Sequence, residues 1–364
     1  MANSIPVIDA DGHVLEREQD VRKYLREPFN HRTTPLTPRD QPWDNDLTQW
    51  RPQDGPTYSP APGVVYRRDM SPAEQVEAWE KICEHHGFEH AVCFPTGAGR
   101  VAKLREKDWQ LAVARAYNDH FAKEYNALSE RVHCVGVLPL AYPEEAAKEL
   151  RRAVTEQGLI GFELVTAGVN LGFGDPFYDP IYKAAEELGV AICFHGTRGF
   201  SEQYGSEALS TFHEVHTYAF TAGMLLHFTS VVSQGLTVRF PNLRLAFLEI
   251  GATWLPYYLD RLDEHWEKRA QWETPLLKKK PSQIVRESKL YFSIEAGESL
   301  LPQAIDYVGD DHFLYASDIP HWDNEFPKSM HEVMEHPGLS QTTKEKILHR
   351  NALDLFALKT KVAA

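Results

Sequence analysis

The chain has 364 residues, 43% of them hydrophobic, and 52 acidic side chains against 38 basic ones give a formal charge of −14. That length suits one large domain or two ordinary ones, and a strongly acidic surface disfavours nucleic acid and anionic membranes as partners. No basic region precedes an apolar stretch at the amino terminus and no apolar run approaches the roughly 20 residues of a membrane span, so the expectation is a cytoplasmic protein that does not contact membranes.

The first strand-like run is Ile5–Val14, reading IPVIDADGHV. A polar, Pro-rich excursion follows at about 27–68, with Pro35, Pro38, Pro42, Pro52, Pro56, Pro60 and Pro62. Structureless loops longer than ~12–15 residues are uncommon in compact domains. Its Trp43, Trp50 and Tyr58 are of the kind enriched at interfaces, so we expect a homo- or hetero-oligomer that uses this arm. Regular alternation then begins. Ser71-Pro72-Ala73-Glu74 is a helix start, with Ser at the cap, Pro in the first turn and Glu three residues on, and Gly87 ends that helix. Strand two is Ala91–Phe94. A helix over Trp109–Tyr125 leads to strand three, Val132–Leu140. Pro143 opens a helix that Gly158 stops, and strand four is Ile160–Val165. A helix near Pro180–Leu188 precedes strand five, Val190–His195. A helix near His216–Ser233 precedes strand six, Leu243–Ile250, and Trp254–His265 is again helical. Leu290–Ile294 and Phe313–Ser317 are strands seven and eight, and a last helix runs near Thr342–Ala357.

Eight nearly continuous apolar strands separated by helices imply parallel pairing with crossovers, buried on both faces. The expected fold is therefore α/β, a (β/α)8 TIM barrel spanning residues 1–364 as a single domain, with the long Pro-rich excursion after strand one. Cys83, Cys93, Cys134 and Cys193 make no C-x-x-C pair, so buried free thiols are expected and a cysteine-ligated zinc is not.

Most of these strands end in a residue able to hold a metal. Asp11 and His13 close strand one, Glu163 lies on strand four, His195 ends strand five, Glu249 ends strand six, and Asp318 follows strand eight. A barrel gathers such residues around its C-terminal mouth, where barrel active sites sit. Two residues apart on a strand, Asp11 and His13 share a face. A mixed imidazole and carboxylate set suits zinc, iron or manganese better than magnesium or calcium. Singly, each residue has an ordinary structural reading. His195 could be a hydrogen-bonded core histidine, Glu249 could pair with Arg244 or Arg261, and Asp318 could cap a helix. Asp9 reads as a cradle for backbone amides. Their joint placement at strand ends is what the ordinary readings do not explain.

The words Ile8-Asp9-Ala10-Asp11-Gly12-His13, Phe194-His195-Gly196, Arg239-Phe240-Pro241-Asn242-Leu243 and Tyr315-Ala316-Ser317-Asp318-Ile319-Pro320-His321-Trp322 resemble the amidohydrolase superfamily. Within it they resemble the amidohydrolase-related branch that includes aminocarboxymuconate semialdehyde decarboxylase and the resorcylate-type decarboxylases. The resemblance implies that Asp11, His13, His195 and Asp318 hold the ion. It also shows two departures. Asp11 stands where the first histidine of an H-x-H pair is usual, and Glu249 stands where a catalytic histidine is usual. His227, His321 and Glu163 are then the candidate proton carriers, and the carboxylate-rich set is similar to that of iron-dependent hydroxylases of this fold. With the superfamily's two-metal members in view, Glu249 is expected at one or a pair of divalent ions, shared with Glu163 or His227.

His227 lies on an apolar helical stretch, where a satisfied core histidine is the ordinary reading. His321 follows Pro320 at a loop position of the barrel mouth. Arg198 could clamp a substrate carboxylate or make a surface ion pair, Trp322 and Trp254 are pocket walls or core, and Glu84-His85-His86 reads as exposed. The sequence thus points to a metal-dependent hydrolase or non-oxidative decarboxylase of a small carboxylated compound. Two alternatives stand beside it: a non-haem iron hydroxylase using dioxygen, with one iron or a di-iron pair, and a metal-bound, non-catalytic partner of an active paralogue.

Overall fold

The computed structural model describes residues 5–38, 59–67, 69–197, 205–295 and 297–359. Trp43, Trp50, Tyr58 and much of the Pro-rich excursion lie outside the described residues, as does Arg198.

Among the described residues, nine short strands make the barrel wall: β1 (Val7–Val14), β2 (Phe88–Pro95), β3 (Val132–Cys134), β4 (Gly136–Val137), β5 (Gly161–Val165), β6 (Ala191–His195), β7 (Leu245–Leu248), β8 (Leu290–Ile294) and β9 (Phe313–Tyr315). Every ladder is parallel, in the orders β1-β2-β3 and β4-β5-β6-β7-β8-β9. β3 and β4 are one strand interrupted at Val135, whose amide still bonds Cys93 O at 3.1 Å. The ring closes between the chain's first and last strands, where Asp318 N donates to Asp11 O at 2.9 Å and His13 N to Ile319 O at 2.6 Å. The result is the eight-stranded barrel that the alternation of apolar runs and helices implies.

Helices form where their punctuation says they should. Ser71 caps the helix Pro72–His86 in a reciprocal capping box with Glu74, and Gly87 ends it at φ 76, a left-handed conformation that suits glycine. The helix after β6 starts earlier than the apolar periodicity shows. Thr211 and Glu214 form a second capping box, so it runs Phe212–Ser233.

The core has two layers. Inside the barrel, Ile8, Ala10, Val92, Val135, Ala191, Cys193, Ala246, Leu248 and Leu314 pack together, and Ala352, Leu355 and Phe356 of the last helix join them. The larger cluster fills the space between wall and helices. The four cysteines are free and buried. Among the described residues, no helix is long and apolar enough to cross a membrane.

Candidate metal centre

The site begins with a defect in β1. Against β2, Asp9 pairs with Ala91 and Gly12 with Cys93, so three steps on one strand oppose two on the other. Such a bulge re-aims the side chains that follow it. Ile8 and Ala10 can therefore fill the barrel interior while Asp11 and His13 also turn inward at the mouth. Asp9 holds the bulge. Its carboxylate accepts from Asp11 N at 3.3 Å, from Ser317 N at 3.0 Å and from the Ser317 hydroxyl, and burial pushes its pKa up to about 7. Gly12 leaves room for Trp79, because a Cβ there would lie 2.5 Å from the indole ring. The indole Nε1 in turn donates to His13 O at 3.2 Å.

His195 ends β6. Its Nδ1 donates to Gly196 O at 2.9 Å, so Nε2 turns to Asp11 Oδ1 at 3.3 Å and Glu249 Oε1 at 3.4 Å. His13 Nε2 lies 3.0 Å from Asp318 Oδ1, 3.4 Å from Glu249 Oε1 and 3.6 Å from Asp11 Oδ1. Glu249 and Asp318 follow β7 and the β9 segment with φ of 79° and 57°. Non-glycine residues held there cost of order 1–3 kcal/mol and cluster at functional sites. The Ser293 hydroxyl holds the first by accepting from Glu249 N at 2.9 Å. His321 completes the group, with Nδ1 at 2.6 Å from Asp318 Oδ1, Nε2 at 3.3 Å from Thr96 Oγ1 and its ring 3.8 Å from that of His13.

The electrostatics favour positive charge at the centre of this group. Burial alone would lower the pKa of His195, but the carboxylates of Glu249 and Asp11 outweigh it and raise it to about 10. Burial is likewise outweighed at His13, which Asp318 and Glu249 lift well above its usual value. Asp318 is held far below the carboxylate range in spite of burial, by His321 and His13. The carboxylates thus hold protons on two histidines in the place where a divalent cation would sit. The donor atoms fit one. His13 Nε2, Glu249 Oε1 and Asp318 Oδ1 are buried and make close charge contacts with one another but no well-aligned hydrogen bond. Asp11, His13, His195 and Glu249 bring one ligand atom each within 4.8 Å of one another, and His13, Glu249, Asp318 and His321 do the same.

The other candidates fall elsewhere. Glu163, on β5, stands behind His195, 3.7 Å from Nδ1 on the side away from the donor cluster, and burial pushes it up to about 8. His227 sits in the helix core with both ring nitrogens engaged, accepting from Phe173 N at 3.2 Å and donating to Thr166 O at 3.1 Å; burial lowers it to about 4. Trp254 packs on Phe228 and Phe292, whereas Trp322 stands exposed at the mouth. Arg244 bonds Gly189 O, not Glu249. His86 is half-buried rather than exposed and reaches Pro60 O at 2.7 Å. Sequence reading passed over Thr96, Phe212, His216 and Phe220 at the mouth. The Thr211-x-x-Glu214 box was the signal that could have placed the last three on the first turns of a helix at that rim.

The sequence profile of the Amidohydrolase family matches residues 8–358. The chain belongs to the Amidohydrolase family. It is 26% identical over 299 residues to the gamma-resorcylate decarboxylase of Rhodococcus jostii, covering 76% of this chain and 86% of that protein. It is 26% identical over 250 residues to the 2-amino-3-carboxymuconate-6-semialdehyde decarboxylase of Dictyostelium discoideum, covering 68% and 67%. Among solved structures, the 5-carboxyvanillate decarboxylase of Novosphingobium aromaticivorans, complexed with manganese and 4-hydroxy-3-methoxy-5-nitrobenzoic acid, superposes with a TM-score of 0.73. That likeness is at 20% identity over 98% of this chain and 97% of that one, and it shows a shared fold. In this amidohydrolase the donor set is richer in carboxylate than an H-x-H pair would make it, because Asp11 and Glu249 both face His195.

Proposed function

We propose that this amidohydrolase is a metal-dependent, non-oxidative decarboxylase of a small carboxylated ring compound. The reading is carried by the buried cluster of imidazole and carboxylate atoms converging at the barrel mouth, in a chain whose relatives named above are decarboxylases. A divalent ion held by Asp11, His13, His195 and Glu249 would supply Lewis-acid polarisation of substrate oxygens, and the donor chemistry suits manganese, zinc or iron.

The remaining work belongs to side chains. Departure of carbon dioxide leaves an electron pair on carbon that needs one proton, so that RCO2− and H+ give RH and CO2. His321 Nδ1 lies 2.6 Å from Asp318 Oδ1. The same oxygen lies 3.0 Å from His13 Nε2, so Asp318 orients His321 beside the cluster, and His321 supplies the proton. The side chain of His321 is 24% exposed and recovers its proton from water. The test is carbon dioxide release by metal-replete protein from a panel of hydroxy- and aminobenzoates in D2O. Product should carry deuterium at the carbon that lost its carboxyl, and His321→Gln should keep metal occupancy while losing turnover. Absence of carbon dioxide from every acid overturns the reading.

The second donor group, which shares His13 and Glu249 with the first, favours one other reading. Asp318 and His321 would then hold a second ion, and with iron the pair would suit a dioxygen-using hydroxylase. Two irons per chain, with oxygen consumption and no carbon dioxide, would select it.

A further inference from the structure

The turn after β7 is held from the neighbouring strand. It begins at Glu249, at φ 79°, whose amide donates to the Ser293 hydroxyl of β8 at 2.9 Å. Its middle rests on Glu298, in the loop that follows β8. The two carboxylate oxygens of Glu298 accept from Ala252 N at 2.9 and 3.1 Å, and Oε1 also accepts from Thr253 N at 2.8 Å. Oε2 accepts from Glu295 N, just beyond the end of β8, at 3.1 Å. Gly251, at φ 63°, passes so close to this carboxylate that a Cβ there would lie 2.6 Å from Oε1. The turn ends at Trp254, whose Nε1 donates to Gly251 O at 2.9 Å and whose ring packs on Phe228 and Phe292.

A carboxylate on the amides ahead of a helix is ordinarily a cap, favoured by the helix dipole, and the helix Leu255–Glu273 starts directly beyond Trp254. Two observations carry Glu298 further. It comes from a different loop, so that one side chain ties the β7 turn to the β8 turn. The turn it holds also opens on a non-glycine residue in the left-handed region, a conformation that persists only where the surroundings over-determine it. Relaxation of that φ re-aims the Cα–Cβ bond of Glu249 and with it the carboxylate. In the held conformation Glu249 Oε1 stands 3.4 Å from both His13 Nε2 and His195 Nε2.

We infer that Glu298 is a positioning residue of the metal centre: it locks the turn from Glu249 to Trp254 so that Glu249 is presented as a ligand, and it acts on the ion only through Glu249. This role rests on Glu249 being a ligand, as proposed above, and is independent of the reaction that the ion serves. Partners that orient a ligand from behind set metal affinity by about 10–100-fold.

The test is a double-mutant cycle on the full-length protein, with manganese affinity read by chelator competition and the ligand field read from the visible spectrum of the cobalt-loaded form. Glu298→Ala should weaken manganese about 10–100-fold and shift the cobalt spectrum. Made in the Glu249→Ala background, the same change should alter neither, since the carboxylate it positions is gone. Glu298→Gln should lose less than Glu298→Ala, because its amide oxygen still accepts from Ala252 N and Thr253 N, and it runs the same cycle if the alanine variant does not fold. Manganese affinity unchanged by both Glu298 substitutions overturns the role, as does an equal loss with and without Glu249. Unchanged affinity in Glu249→Ala alone removes Glu249 from the ligand set and the role of Glu298 with it. Carbon dioxide release is scored apart. Protein that follows the cycle yet decarboxylates nothing keeps the positioning role and loses the decarboxylase. Protein that decarboxylates with a metal affinity indifferent to Glu298 does the reverse.

Discussion

Replacing Gly12 by alanine tests the coupling between core packing and the donor set. The new Cβ would lie 2.5 Å and 2.6 Å from Cη2 and Cζ2 of Trp79, whereas carbon atoms rest at roughly 3.5–4.0 Å. The indole must therefore retreat by about 1 Å, and it is fully buried with nowhere open to go. Overpacking of this kind costs about 1–3 kcal/mol. The retreat also breaks the bond from Trp79 Nε1 to His13 O, worth about 1 kcal/mol, so Gly12→Ala should destabilise the protein by about 2–4 kcal/mol. Because that bond anchors the backbone of His13, metal affinity measured by chelator competition should fall with stability. Trp79→Phe removes the outer ring that collides with the methyl group. The double variant should then be more stable than the two single effects summed, by at least about 1 kcal/mol in urea unfolding of the metal-free chain. Additivity within about 0.3 kcal/mol would mean that the two residues do not compete for the same space, and the account of Gly12 would fail.

His195→Ala should abolish tight metal binding; full occupancy by elemental analysis would show that His195 is no ligand. Glu249→His probes the carboxylate directly. If Glu249 shares two ions, stoichiometry falls from two to one and activity disappears, while an unchanged single ion with equal or higher decarboxylase activity removes it from the ligand set. His120 is fully buried with neither ring nitrogen hydrogen-bonded, and burial lowers its pKa to about 4. The unfolded chain takes up that proton near pH 6.5 and the folded one only near 4, so stability is intact above 6.5 and falls by about 1.4 kcal/mol per pH unit as the pH drops between them. His120→Phe should therefore lose about 2 kcal/mol less than the parent between pH 7.5 and 5; parallel urea profiles for the two proteins would refute this.

The barrel was legible because parallel strands buried on both faces read as continuous apolar runs, and Ala191–His195 or Leu290–Ile294 admits no other period. What the runs did not show were local irregularities with no hydropathic signature. The interruption at Val135 leaves every neighbour apolar. The bulge between Asp9 and Gly12 matters more, since it lets Ala10 and Asp11 serve the same interior. Asp9 was recognisable as an amide cradle because an acid within an apolar run needs donors. Strand ends located Asp11, His13, His195, Glu249 and Asp318 at one mouth, but a period-two pattern does not say on which side of His195 a carboxylate stands, and Glu163 lies behind it. His216 and Phe220 stayed hidden because half-covered rings on a helix look like core.

The closure of the ring between its first and last strands has a consequence for biosynthesis. Donor atoms come from residue 11 at one extreme and residues 318 and 321 at the other, and the seam itself is stitched by Asp9 to Ser317 and by Asp318 to Asp11. A chain emerging from the ribosome carries Asp11 and His13 from the outset, yet they remain an isolated pair until nearly all of the polypeptide has been made. Any fragment that stops short of Ser317 lacks half of each suture. An ion bound by this set would need both ends of the chain in place, so ion retention would serve as a read-out of complete synthesis and correct ring closure.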